Sequence, residues 1–127
     1  MDKQNEQLKQ FNQAVSRLDE VLQIPATSII KDSAIQRFEF CMDLTWKTLK
    51  TILEQEHGII VKSPKETFKV AYQNKLIDYD QKWIDFVDLR NNTVHTYNEE
   101  LANQTFIQLP TFLTLVKTLL NSLNIQK

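Results

Sequence analysis

The chain has 127 residues, 24% of them charged and 42% hydrophobic, with a formal net charge of −1. That length suits a single domain, residues 1–127, whose core needs neither disulfide nor structural metal. The balanced charge offers no general attraction to nucleic acid or acidic lipid. One glycine and three prolines are too few turn formers for a β-rich protein and predict long helices with short connections. The single cysteine excludes an internal disulfide and a multi-cysteine zinc site.

In chain order, the polar start MDKQNEQLKQ is not a signal peptide. A first helix carries Leu8, Phe11, Val15, Leu18 and Leu22 at three- and four-residue steps, and Pro25 ends it. A second is expected from about Asp32 to His57, with a stripe of Ile35, Phe38, Met42, Trp46, Leu49 and Leu53 and with Gly58 as its stop. Cys41, inside this apolar run, reads as a small buried residue. Ser63-Pro64-Lys65-Glu66 is a capping box with proline at the first helical position, opening a short helix that ends near Asn74. Asp78 or Asp80 caps the next helix, whose inner face is Trp83, Phe86 or Val87, and Arg90. Asn98 caps the last, with Glu99 and Glu100 where the helix dipole favours them. That last helix carries Ala102, Phe106, Leu109, Phe112, Val116, Leu119 and Leu123, and Pro110 should bend it.

The expected fold is therefore all-α: an antiparallel four-helix bundle with an additional short helix. No apolar run approaches the length of a membrane span, and the expected location is the cytoplasm, with no membrane partner. Residues 101–116 contain no charge, and Leu101, Ile107 and Leu115 lie off the main stripe. A helix apolar on two faces must bury both, which predicts a homodimer. Trp46 and Trp83 lie in apolar stripes and read as core rather than as base-stacking residues.

The stretch LRNNTVHTYNEE, residues 89–100, raises the question of chemistry. Arg90 and His95 would sit about 140° apart on an unbroken helix, at about 100° per residue. They converge only if the helix ends between them, so a corner is expected within Asn92–Tyr97. Such a corner would join a permanent guanidinium that grips phosphate, a histidine that exchanges protons near neutral pH and a phenol. The free N–H groups of the following helix would add to them. That set could cleave RNA without a metal: the imidazole takes the 2′-OH proton and the arginine stabilises the pentavalent phosphorane. A dimer would supply a second histidine. The plainer assignment, which local spacing favours, is an inward arginine paired with Glu39 or Asp43 and a histidine at a helix end. Lys62, Lys65, Lys69 and Lys75 form one basic patch, readable as a path for a phosphate backbone or simply as a solvated face. Two histidines without metal-ligand spacing and one glycine that cannot build a phosphate loop offer neither a metal site nor a cofactor site.

Arg90-Asn91-Asn92-Thr93-Val94-His95-Thr96-Tyr97 resembles the R-x4-H-x-Y signature of HEPN-domain proteins. The resemblance extends through IQRFEFCMDLTWKTLKTILEQEHG and SPKETFKVAYQNKLIDYDQKWIDFVDLRNNTVHTYNEE to roughly residues 5–123, and is to the nucleotidyltransferase substrate-binding branch. It implies a dimeric helical bundle with two R-x4-H corners facing one cleft, and a minimal nucleotidyltransferase as partner. It implies one of two functions. The first is an RNase toxin, with Arg90 and His95 catalytic, Asn91 supporting the arginine, and Tyr97 the acceptor of AMP transferred by the antitoxin nucleotidyltransferase. The second is a non-catalytic subunit that holds a nucleotide or other substrate for that enzyme. A purely structural interaction bundle is a third possibility. Glu39, next to Phe38, is a candidate cleft-lining residue. The residues alone do not choose between RNA and nucleotide.

Overall fold

The computed structural model describes residues 2–126, with side chains as far as Asn124. It contains α1 (Lys3–Leu22), α2 (Ser28–His57), α3 (Pro64–Gln73), α4 (Lys82–His95), α5 (Glu99–Phe106) and α6 (Leu109–Gln126). Among the described residues there is no strand. The expected bundle forms, with α5 and α6 in the place of the last expected helix. Pro110 explains the break. Its ring clashes with the carbonyl four residues back, and it has no N–H to bond that carbonyl. The helix therefore ends at that residue, Phe106, and the chain restarts after a bend of 46°.

The caps follow the sequence. Asp2 and Thr27 accept from the amides of Asn5 and Ile30 at the starts of α1 and α2, the latter placing the start of α2 four residues before Asp32. Gly58 closes α2 at φ 66°, with its N–H on the Glu54 carbonyl, a left-handed position that suits glycine. Ser63 accepts from Glu66 N, while Glu66 Oε1 reaches back to the amide of Lys62 at 2.7 Å. α4 departs from the expectation: neither Asp78 nor Asp80 is its N-cap, which is Gln81 in helical conformation with no side-chain cap, and Asp80 Oδ1, one residue earlier, accepts from Lys82 N at 2.9 Å.

α2 is the spine and packs against each of the other five helices. Its inner stripe meets Phe11, Val15, Leu18 and Val21 of α1 and Leu109, Phe112 and Val116 of α6 in one core. At the centre three rings lock α2, α4 and α6 together. Phe38 and Phe112 are 4.8 Å apart edge to face, Phe86 and Phe112 5.1 Å, and Phe38 and Phe86 6.2 Å. Such pairs add about 0.5–1.5 kcal/mol each beyond area burial. Cys41 is fully buried, and burial pushes its thiol up to about 12, as expected of an inert core cysteine. Among the described residues, no single helix is long and apolar enough to cross a membrane.

Candidate functional site

The three-ring cluster sets α4 alongside α2, running antiparallel. Phe38 is followed by Glu39, and Phe86 precedes Arg90 by one turn, so the same packing that buries the rings aligns the polar edge beside them. Asp32, Glu39 and Asp43 share that edge of α2, seven and four residues apart, and each meets a residue of the signature segment. Arg90 Nη2 lies 3.1 Å from Asp43 Oδ1 and 3.2 Å from Oδ2. Thr93 Oγ1 lies 2.7 Å from Glu39 Oε2 and 3.0 Å from the Arg90 carbonyl, so its one proton serves two acceptors. Tyr97 Oη donates to Asp32 Oδ1 at 2.5 Å.

Arg90 is half-buried and held from two sides. Its Nη1 donates to Asn91 Oδ1 at 3.2 Å. Its Nε is buried without a partner among the described residues, a condition that costs about 1–3 kcal/mol. Tyr97 is 71% exposed, and its hydrogen bond to the Asp32 carboxylate holds the phenol pKa above its ordinary value. His95 is exposed, the last residue of α4, and its side chain has no hydrogen bond or ion pair among the described residues.

One expectation is corrected. The helix does not end between Arg90 and His95. α4 continues through His95, and Thr96 N still bonds the Asn92 carbonyl at 2.9 Å. Nothing in Asn91–His95 breaks a helix: there is no glycine or proline, and Thr93 bonds the backbone locally. The corner is confined to Thr96–Asn98. Within one chain Arg90 and His95 therefore stay about 140° apart around α4 and about 7.5 Å apart along it. The N-terminus of α5 is also partly occupied, since Asn98 Oδ1 accepts from Leu101 N at 2.8 Å and Glu99 and Glu100 fill the first turn.

Two hollows flank the signature. One, of about 250 Å³, is bounded by Asn92, Thr96, Asn98, Glu100, Leu101 and Gln104. The other, of about 340 Å³, runs between α2 and α4 to the start of α3 and touches Arg90, Asn91 and Asp43. Larger hollows of about 580 and 590 Å³ lie either side of residues 77–80 and hold none of the signature residues. Trp83 is core as expected, stacked on Phe68 at 4.8 Å. Trp46 is not wholly core. It is half-buried and lines the hollow beside Arg90. Sequence reasoning also missed Asp32 and Thr93. The seven- and four-residue spacing of Asp32, Glu39 and Asp43 was the available signal. Among the described residues no group of three or more His, Cys, Asp and Glu is placed to hold a metal ion.

Comparison with known proteins gives the family. The family described as nucleotidyltransferase substrate binding protein like matches residues 6–125. The chain belongs to this branch of the HEPN-domain proteins. Over 94 residues it is 35% identical to a Haemophilus influenzae protein named Probable ribonuclease HepT, a match that covers 68% of this HEPN chain and 64% of that relative's length. A crystal structure of a Thermus thermophilus protein superposes with a TM-score of 0.81 at 32% identity, covering 87% of this chain and 96% of that one.

Proposed function

We propose that this HEPN protein is the toxin of a toxin–antitoxin pair, a metal-independent endoribonuclease silenced when a minimal nucleotidyltransferase transfers AMP to Tyr97. The observation that carries the reading is the exposure of His95 and Tyr97, two residues apart, on a rim where Arg90 is fixed. His95 is open to solvent, where a substrate can reach its ring. In the proposed reaction His95 takes the ribose 2′-OH proton, the 2′ oxygen attacks phosphorus to form a cyclic phosphate, and the P–O5′ bond breaks as the 5′ oxygen takes a proton from the imidazolium that a second copy of the chain would supply. Arg90, oriented by Asp43 and Asn91, stabilises charge on the phosphorane. Because Arg90 and His95 point away from each other on one helix, a homodimer would complete the site, each protomer offering its own corner to a common cleft. The relative named as a probable ribonuclease supports the chemistry, and the family description supports the nucleotidyltransferase as partner.

A second reading has its own support. Asp43 and Asn91 each accept from one terminal nitrogen of Arg90 and leave each a second N–H, which suits a fixed arginine that holds a nucleotide for the nucleotidyltransferase without cutting. The experiment measures RNA cleavage by the wild-type protein and His95→Ala, and intact mass after incubation with the nucleotidyltransferase and ATP. Cleavage abolished by His95→Ala, together with AMP mass lost in Tyr97→Phe, is the expected result. No cleavage and no added mass would favour the nucleotide-holding subunit.

A further inference from the structure

The hollow of about 340 Å³ beside Arg90 is lined by Met42, Asp43, Trp46, Lys47, Pro64, Val87, Arg90 and Asn91. We propose that it is a nucleoside subsite. A base stacks on Trp46 against Val87 and Pro64, and the attached phosphate is met by Lys47 and Arg90.

The lining has the chemistry this ligand needs and little that it does not. Its volume lies at the small end of ligand pockets, which run about 300–1,000 Å³. The aromatic wall is a half-buried tryptophan in a stripe whose other members Ile35, Phe38, Met42, Leu49 and Leu53 are buried. Lys50, outside the hollow, has its Nζ 5.9 Å from the ring centroid and steadies the ring. Met42 and Val87, buried below, give an apolar floor for the flat face of a base, while Asn91 offers an amide for a base edge. The charged lining residues are Lys47 and Arg90 against Asp43, so the wall carries one net positive charge. Lys47 is exposed and has no ion-pair partner among the described residues. Arg90 belongs both to the hollow and to the signature, so a base seated here places its phosphate against Arg90. The inference rests on the reading of the signature as one that handles nucleotides, but not on whether it cuts them.

The test follows tryptophan emission. Trp83 is buried and stacked away from the hollow, so Trp46→Phe supplies the background. Wild-type protein is titrated with the four nucleoside monophosphates and, separately, with a 2′-O-methyl oligoribonucleotide that lacks the attacking hydroxyl. Saturable quenching that vanishes in Trp46→Phe is expected. Trp46→Ala should weaken binding about 10-fold or more, from the usual value of base–aromatic stacking, and raise KM more than it lowers kcat on any cleaved RNA. Lys47→Gln, at an exposed position that does not endanger folding, should weaken binding a few-fold and flatten its salt dependence. Quenching by monophosphates assigns the subsite to free nucleotides; quenching by the oligonucleotide alone assigns it to RNA. Oligonucleotide or nucleotide bound with Trp46 emission unmoved, no binding at all, or unchanged affinity in folded Trp46→Ala and Lys47→Gln, overturns the proposal. Quenching without cleavage of any RNA would remove the ribonuclease reading and leave the subsite standing. Cleavage indifferent to Trp46→Ala would do the reverse.

Discussion

The two halves of α4 are built on opposite terms. In the first, Trp83, Phe86 and Val87 are at most 4% exposed and lock into Phe68 and the Phe38–Phe112 pair. In the second, Val94 is 48% exposed and His95 stands free, while Thr93 and Arg90 are tied to α2 by carboxylates rather than by packing. Tyr97, just beyond, is tied to Asp32 in the same way. The first half derives its stability from removing apolar surface from water, which is insensitive to the fine placement of charge. The second half stays at the surface, where proton transfer and modification are possible. Arg90 stands at the boundary and belongs to both. Rigid rings therefore position the polar edge that carries the signature residues.

That contrast can be broken at several points. Phe86→Ala should lower stability by about 3–5 kcal/mol, as large-to-small changes at buried aromatics do. Urea denaturation that shows a loss below about 1 kcal/mol would mean that the ring cluster is not the anchor. His95→Ala should leave stability within about 0.5 kcal/mol, as exposed positions do, yet reduce RNA cleavage by about 10²–10⁴, the usual contribution of a general acid or base. Comparing melting curves with cleavage rates on one preparation checks both.

Arg90→Ala should do some of each. It should lose about 1 kcal/mol of stability, since Asp43 keeps access to water when its partner is removed, and about 10²–10³ in cleavage through the lost phosphorane contact. A change in only one of the two would place Arg90 wholly in one half. Asp32→Asn has the smallest expected effect. Its hydrogen bond raises the folded-state pKa of Tyr97, so what it adds to stability is full below the ordinary phenol range and is lost as pH rises through the raised value. Removing the carboxylate should bring the Tyr97 midpoint down, seen by ultraviolet titration of each protein against its Tyr97→Phe counterpart. An unmoved midpoint would show that Asp32 does not govern the phenol.

Most of the bundle was legible from spacing. The stripes of α1, α2 and α6, the stop at Gly58 and the caps at Ser63 and Asn98 stand where the residues indicate, because periodicity and capping are local. The bend at Pro110 was legible too, although its position was not: the break comes four residues earlier, where the proline ring would strike a carbonyl. The site was less legible. The identity of Glu39 and Asp43 as acidic neighbours of α4 could be read, but their assignment to Thr93 and Arg90 depends on the register of α2 against α4. The expected corner within Asn92–Tyr97 rested on bringing Arg90 and His95 together, whereas the backbone as far as His95 has every reason to remain helical. Trp46 looked like core because its stripe is core; its half-exposure comes from the hollow that it lines beside Arg90.

By itself the sequence determined an all-α chain, the order and approximate limits of its helices, and the R-x4-H-x-Y segment at the join of α4 and α5. These follow from interactions between residues a few positions apart. Only the tertiary structure decided that Asp32, Glu39 and Asp43 form successive rungs against Tyr97, Thr93 and Arg90, that Arg90 and His95 diverge, and that Trp46 opens onto the arginine. The physical reason is packing. The Phe38–Phe86–Phe112 contacts fix the register between helices far apart in the chain, and register, not composition, selects which polar side chains meet.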